Sequence, residues 1–387
     1  MLRSLLTRSG LAGYIGRLWQ PDVESALKPV RKDVRLLLNR IEGLEAALAD
    51  ARRQAARADR IAAQVKLAAV LDRRQSGTLA RVGELLDPAR IGGHVRAAIE
   101  SATMILEPYE HIVVDALLPQ DVYDLLIEAI PPEPFFDDHD PVKRNLRFPM
   151  DLGPMLGSAV WGFFDEVVTD QMIRPAVLER LRDPLHRHYD MLFGPECRAR
   201  AAAMPHGVHS GRLMLRRRGY HLDPHRDPKH AMVTCLVYFA KPGDDEAYGT
   251  AIFDVADDGE ADYKQTYYPA QAGRTCTLVK VVPFRPNRML VFLNSRGAHG
   301  VTIPADAPES VERYSYQFYI GPEKEALGAL IRQLPDARRR MWQSKDRLEA
   351  PAPTAVDRPS SSPEGIRNPQ EPGSRNQESG FRKQESG

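Results

Sequence analysis

Residues 219–240 read GYHLDPHRDPKHAMVTCLVYFA, and the fold is decided by how this stretch is read. Its second half, MVTCLVYFA, is an apolar run rich in β-branched and aromatic residues, the pattern of a core strand. In its first half, His221, Asp223, His225 and Asp227 stand two apart. In one extended segment all four side chains project to the same side. Two His-x-Asp pairs therefore compete on one strand, and local periodicity does not choose between them. Such a pair carries little weight alone: with 11 histidines in the chain, about one match is expected by chance. A third pair, His188 and Asp190, lies in PLHRHYDMLFG. That pattern is helical, so i and i+2 diverge, and the pair is read as surface charge.

Downstream come YGTAIFDV, VVPFRPNRMLVFLNSRGAHGVTIP and ERYSYQFYIGP. From 211 to 321 the chain is expected to be mostly strands and turns. His299 would lie on a strand beside the His-x-Asp segment. Two histidines and one carboxylate can occupy one face of an Fe(II) ion and leave three open positions. Arg313 can form a bidentate pair with a carboxylate, and Ser315, two residues on, faces the same side. A metal followed by a carboxylate anchor suits a metal-chelating oxo-acid.

This arrangement resembles the prolyl 4-hydroxylase-like branch of the 2-oxoglutarate/Fe(II) dioxygenases. The family pattern has a glycine six residues before the first metal histidine, matched by Gly219 before His225. It has a tyrosine on the strand after the His-x-Asp, matched by Tyr238. Its approach to the distal histidine is matched by Pro283, Asn287, Arg288 and Phe292 ahead of His299. Its basic residue after that histidine is matched by Arg313. The resemblance covers roughly 105 to 322, and its motifs are specific jointly rather than singly. There are two departures. The interval from His299 to Arg313 is 14 residues, long for this branch, and the usual Gly-Gly after the tyrosine strand is Gly249-Thr250.

The resemblance implies His225, Asp227 and His299 as metal ligands. It implies Arg313 and Ser315 as the clamp on the far carboxylate of 2-oxoglutarate, with Tyr238 donating to the same group and Thr234 and Leu236 lining the pocket. Fe(II), 2-oxoglutarate as co-substrate and ascorbate as an accessory factor follow in the same way. So does the chemistry: oxidative decarboxylation of the oxo-acid to succinate, coupled to oxidation of a substrate C–H bond. Related halogenating enzymes lack the carboxylate ligand, so Asp227 argues for hydroxylation or desaturation.

Composition narrows the setting. A net charge of +1 over 387 residues sets up no global field toward nucleic acid or membrane. Cys197, Cys235 and Cys276 form no pattern, so no disulfide framework is expected and a reducing, cytoplasmic compartment fits. No apolar run reaches the roughly 18 residues of a membrane span. The first 30 residues carry Arg3, Arg8 and Arg17 without a continuous apolar core. They read as a short amphipathic segment rather than a signal peptide.

Residues 31–75 are read as a coiled coil. Val34, Leu37, Ile41, Leu44, Leu48, Ala51, Ala55, Ala58, Ala62, Val65 and Ala69 keep an unbroken three-four spacing. Self-association through 34–69, giving a homo-oligomer, is the reading; a helix folded back on the catalytic domain competes with it. Residues 76–104, with Gly77, Pro88 and Gly92-Gly93, read as a jointed connector. The catalytic domain is set at 105–335. Its helical part, about 155 to 193, holds Trp161, Phe163, Phe164, Val167 and Val168 as packing residues. His206 and His209 read as loop residues. The stretch 254–274 reads as an insertion that either covers the site or forms an exposed loop. Residues 345–387, rich in Pro, Ser, Gln, Arg and Glu, read as a disordered tail.

The fold expected is a mainly β double-stranded β-helix, or jelly roll, with packed helices. The function expected is hydroxylation of a peptidyl (prolyl-type) or small-molecule substrate. The rival is an assembly protein whose coiled coil is its function and whose jelly roll binds a ligand without catalysis. A zinc hydrolase on the same fold is disfavoured by the Arg313-x-Ser315 pair, since hydrolysis needs no oxo-acid clamp.

Overall fold

The computed structural model describes residues 11–137, 140–256 and 266–342, with side chains described from residue 27 onward. The expected disordered tail at 345–387 and the first ten residues of the amphipathic segment lie outside these. The chain opens with a 64-residue helix, α1 (Leu11–Arg74). Its last turns rest on the body: Gln64 Nε2 donates to the Pro134 carbonyl at 2.7 Å, the Met155 amide donates to Asp72 Oδ1 at 2.7 Å, and Ala68 is buried. Further up, Val34, Leu37, Ile41, Leu44 and Leu48 are exposed, Leu44 to 63%. The last turns of this helix thus fold back on the body, while its middle leaves the apolar stripe exposed.

Residues 76–104, expected to be a jointed connector, are largely helical: α2 (Ser76–Leu85) and α3 (Pro88–Ser101). Asp87 caps α3 by accepting from the Ala89 amide at 2.9 Å, and Pro88 starts it. Ile91, Val95 and Ile99, four apart on one face, are fully buried in the main core. Burying each aliphatic side chain contributes about 1.5–3 kcal/mol, which outweighs the helix-weakening Gly92-Gly93 pair.

After α3 the strands begin with β1 (Met104–Ile105) and β2 (His111–Val114), followed by α4 (Gln120–Glu128) and β3 (Lys143–Leu146). A helical path then runs through α5 (Met155–Phe163), a π-helical stretch (Phe164–Ile173), α6 (Arg174–Arg180) and α7 (Arg182–Phe193). Short α8 (Arg198–Ala202) precedes the long strand β4 (His206–Arg216). His206 and His209 thus stand on a strand and not in a loop. The remaining strands are β5 (His221–His225), β6 (Val233–Tyr238), β7 (Thr250–Val255), β8 (Cys276–Val282), β9 (Arg288–Leu293), β10 (Ala298–Thr302) and β11 (Arg313–Pro322). Two short helices, α9 (Lys324–Arg332) and α10 (Asp336–Arg340), close the described chain. Among the described residues no helix is long and apolar enough to cross a membrane.

The strands form two antiparallel sheets. The larger has the order β1-β2-β9-β6-β11-β4-β3, the smaller β5-β10-β7-β8. From β4 onward the chain passes back and forth between them. Every residue of β6, β9 and β11 is buried, because both faces of the larger sheet are covered. On its outer face Val233, Cys235, Val237, Tyr316 and Phe318 join the helices in the main core. Trp161 and Phe164 pack edge-on against Phe239, and Phe164 likewise against Tyr316, so these two aromatics are packing residues as expected. On its inner face Leu236, Tyr238, Leu290 and Phe292 pack with Ile252, Val282 and Phe284.

His188 was expected on the surface. It is instead buried on α7, with Nδ1 lacking a hydrogen-bond partner, because this face of the helix turns into the core. Asp190 does reach the surface and pairs with Arg198.

Candidate functional site

β5 and β10 pair in antiparallel register with His225 opposite His299. This brings the two imidazoles together, with ring centroids 4.2 Å apart. Asp227 lies two residues beyond β5. Between them Arg226 forms a bridge with Tyr267, and its guanidinium donates to the Gly297 carbonyl ahead of β10. Arg226 therefore ties the segment down on one side while His225 and Asp227 turn to the other. His225 Nε2 lies 3.8 Å from Asp227 Oδ1, and His299 Nε2 lies 3.5 Å from Asp227 Oδ2. One candidate donor atom from each residue falls within 4.8 Å of the other two. All three residues are at least 95% buried. Among the described residues this is the one group of three or more His, Cys, Asp or Glu that could hold a metal ion.

The surrounding bonds orient these donors. His225 Nδ1 lies 2.9 Å from the Asp223 carbonyl, an acceptor, so Nδ1 carries the proton and Nε2 offers its lone pair. Burial drives the His299 pKa down to about 3, with the neighbouring His225 adding to the effect, so its ring is neutral. Asp227 Oδ2 accepts from the Thr234 hydroxyl at 2.7 Å and Oδ1 accepts from the Tyr319 hydroxyl at 3.0 Å. Asn294 Nδ2 donates in turn to Thr234 Oγ1 at 2.8 Å. Tyr319 and Asn294 were not foreseen. In the sequence only the two-residue spacing of Tyr319 from Arg313, Ser315 and Gln317 pointed toward its face.

The competing pair sits elsewhere. His221 Nε2 bonds to Asp223 Oδ1 at 2.8 Å and its Nδ1 to Thr302 Oγ1 at 2.8 Å, with both side chains more than half exposed. Four residues of extended chain carry His221 roughly 13 Å from His225.

The inner face of the larger sheet floors a cavity of about 200 Å³ that His225, Asp227, His299, Arg313 and Leu236 help to line. Arg313 is 3% exposed. Its Nε donates to the Tyr248 carbonyl at 2.6 Å, its Nη1 to Ser315 Oγ at 3.1 Å, and its guanidinium stacks against Tyr238 and Phe284. Burial lowers its pKa from the ordinary arginine value. Ser315 therefore orients Arg313 from behind. The Tyr238 hydroxyl donates to Thr250 Oγ1 at 2.7 Å, and Thr234 is engaged with Asp227 rather than with the cavity. Of the 254–274 stretch, 257–265 lie outside the described residues. Thr266 and Tyr268 line the cavity, the Tyr268 ring 5.7 Å from that of His225. A larger cleft of about 830 Å³ beside α1 contains none of these residues.

No protein-family model matches the sequence, and no curated protein matches it. Among solved structures, the chain is similar to a prolyl-4-hydroxylase of Pseudomonas putida, at 13% identity and a TM-score of 0.34, over 59% of this chain and 99% of that one. It is similar to an oxidoreductase of the 2OG-Fe(II) oxygenase family from Burkholderia pseudomallei, at 7% identity and a TM-score of 0.32, over 59% and 89%. It is also similar to HygX from Streptomyces hygroscopicus, a structure with nickel, 2-oxoglutarate and hygromycin B bound, at 15% identity and a TM-score of 0.32, over 55% and 83%. Likeness this distant assigns no activity to the chain.

Proposed function

We propose that this chain is a 2-oxoglutarate- and O2-dependent Fe(II) oxygenase built on a double-stranded β-helix. The observation that carries this reading is one cavity with a buried His225–Asp227–His299 cluster and a buried Arg313 that has no carboxylate partner among the described residues. The donor set fits a divalent first-row metal. Two imidazoles and one carboxylate are available, and the carboxylate takes its hydrogen bonds from the neutral hydroxyls of Thr234 and Tyr319. Ligand geometry and second-sphere bonds of this kind suit Fe(II).

In this reading His225, Asp227 and His299 would hold the iron. Bound iron and oxo-acid together supply the activation of O2. The protein's part is binding and exclusion. Arg313 takes the far carboxylate of the oxo-acid by a charge-assisted pair, with Ser315 fixing its guanidinium. Leu236 and the apolar inner face keep water away from the same end. Thr234, Asn294 and Tyr319 hold Asp227 in place. A hydrolase needs no such second anchor, which is why the oxygenase reading is preferred.

A second element of the proposal concerns assembly. The exposed apolar stripe of α1 at Val34, Leu37, Ile41, Leu44 and Leu48 is a seam for a second copy of this chain, at the spacing a coiled coil uses. The rival reading, assembly without catalysis, keeps this seam and drops the turnover.

The test is stoichiometric Fe(II) binding and succinate release from 2-oxoglutarate by the reconstituted full chain. His225→Ala, Asp227→Ala and His299→Ala should each abolish both, and His221→Ala neither. Succinate release that is absent from the iron-loaded wild type across a broad substrate screen would favour the assembly reading. Dependence of iron on His221 instead of His225 would overturn the ligand assignment.

A further inference from the structure

The cavity carries more positive charge than an oxo-acid needs. Besides Arg313, its lining includes Arg216, Arg212 and Lys143, and among the described residues the one carboxylate lining it is that of Asp227. Arg216 is accounted for by the fold. It is 3% exposed, donates to the Arg144 carbonyl at 2.8 Å and to Asn145 Oδ1 at 3.0 Å, and lies over the Tyr220 ring. Arg212 and Lys143 are different. Among the described residues neither is paired with a carboxylate; Arg212 donates to Gln317 Oε1 and lies within hydrogen-bond reach of the Tyr319 hydroxyl.

The strand register fixes where these charges stand. Arg313 is opposite Arg216 on β4, and Arg212 is opposite Gln317. Arg212 is thus four residues further along the sheet, roughly 13 Å away. It stands at the metal end, where Tyr319 donates to Asp227. The cavity therefore has Arg313, Arg216 and Lys143 toward one end and Arg212 toward the other, with the candidate ligands beside Arg212. A guanidinium facing a partly water-excluded cavity without a counter-charge binds an anion more strongly than one in open solvent.

Resting on the oxygenase reading above, we infer that the primary substrate is itself an acid. Its carboxylate or phosphate pairs with Arg212, and its reacting carbon is thereby held next to the metal. Lys143, exposed on β3 opposite Arg216 and part of the cavity lining, adds attraction to incoming anions. Gln317 and Tyr319 orient Arg212 as Ser315 orients Arg313. The selectivity predicted is for acids over uncharged molecules of the same shape.

The test uses the full chain loaded with Mn(II) and saturating 2-oxoglutarate. Phenyl phosphate, benzoate and benzyl alcohol are titrated in turn, and paramagnetic relaxation of their 31P or 1H nuclei reports approach to the metal. A saturable effect is expected for at least one of the two acids and none for the alcohol; which acid responds distinguishes carboxylate from phosphate. Arg212→Gln should weaken the acid response about tenfold or more, Arg212→Lys should restore part of it, and Mn(II) and 2-oxoglutarate affinities should stay within twofold. Lys143→Gln, at an exposed position that tolerates change, should weaken the acids about threefold. Equal responses of acid and alcohol, or acid binding indifferent to both Arg212→Gln and Lys143→Gln, would overturn the inference and leave the oxygenase reading intact. Loss of 2-oxoglutarate affinity in Arg212→Gln would reassign Arg212 to the co-substrate, also overturning it. Failure of the wild type to bind Mn(II) or 2-oxoglutarate would instead defeat the oxygenase reading, and this inference with it.

Discussion

Replacing Arg313 by methionine separates what this residue does for binding from what it does to the fold. The guanidinium is 3% exposed and no carboxylate is paired with it among the described residues; its partners are a carbonyl, a hydroxyl and two aromatic rings. Burying a charge without a counter-charge is costly, and here neutral dipoles and ring faces offset only part of the cost. Methionine keeps much of the volume and removes the charge. The ligand-free protein should therefore unfold at the same temperature or slightly higher, as when buried charges give way to apolar groups of similar size. Binding should respond in the opposite direction. Each charge-assisted bond to the oxo-acid carboxylate is worth about 1.5–3 kcal/mol. Losing the pair, less what the apolar replacement recovers, leaves a deficit of about 3 kcal/mol, or roughly a hundredfold in affinity. Calorimetric titration of 2-oxoglutarate into the Mn(II)-loaded chain measures the second effect, and thermal unfolding without ligand the first. A 2-oxoglutarate affinity within threefold of the wild type would remove Arg313 from the site. An unfolding midpoint lowered by many degrees would show that the residue is structural.

Thr234→Val deletes one of the hydroxyls holding Asp227 and takes an acceptor from Asn294; metal affinity by titration should fall about 10- to 100-fold while 2-oxoglutarate affinity in the metal-saturated protein holds. His188 is buried, and its pKa is pushed down to about 3 from 6.5. The unfolded chain therefore binds the extra proton first. The stability this neutral histidine preserves is full above pH 6.5 and is lost as pH falls toward 3, by about 2 kcal/mol between pH 7.5 and 5. Denaturant titrations of His188→Leu should show a pH dependence shallower by that amount, and an unchanged slope would place the proton elsewhere. Leu37→Glu with Leu44→Glu, on the exposed stripe of α1, should convert an oligomer to monomers by light scattering without altering metal binding; a wild type already monomeric at micromolar concentration would rule out the seam.

Much of the fold was legible locally. Strand runs such as MVTCLVYFA show their apolar, β-branched character in any context, and β6 is buried on both faces as that composition requires. The helix N-terminal to them was readable from its spacing. The helix signal in 76–104 is local as well, in the Asp87 cap and the Ile91, Val95, Ile99 stripe, and three aliphatic side chains in the core outweigh the two glycines within that helix.

By itself the sequence determined which residues can point the same way. His221, Asp223, His225 and Asp227 share a side by chain geometry alone, as do Arg313, Ser315, Gln317 and Tyr319. Only the tertiary structure decided which of them meet. His225 lies opposite His299 because β5 and β10 pair in that register, and Arg212 stands toward the candidate metal ligands because β4 and β11 pair in theirs. The burial of His188, the support of Asp227 by Tyr319, and the setting of Arg313, with no carboxylate paired to it among the described residues, all depend on segments far apart in the chain. Periodicity sets the direction of a side chain within its own element. Its neighbours are set by pairing and packing between elements, which no local pattern encodes.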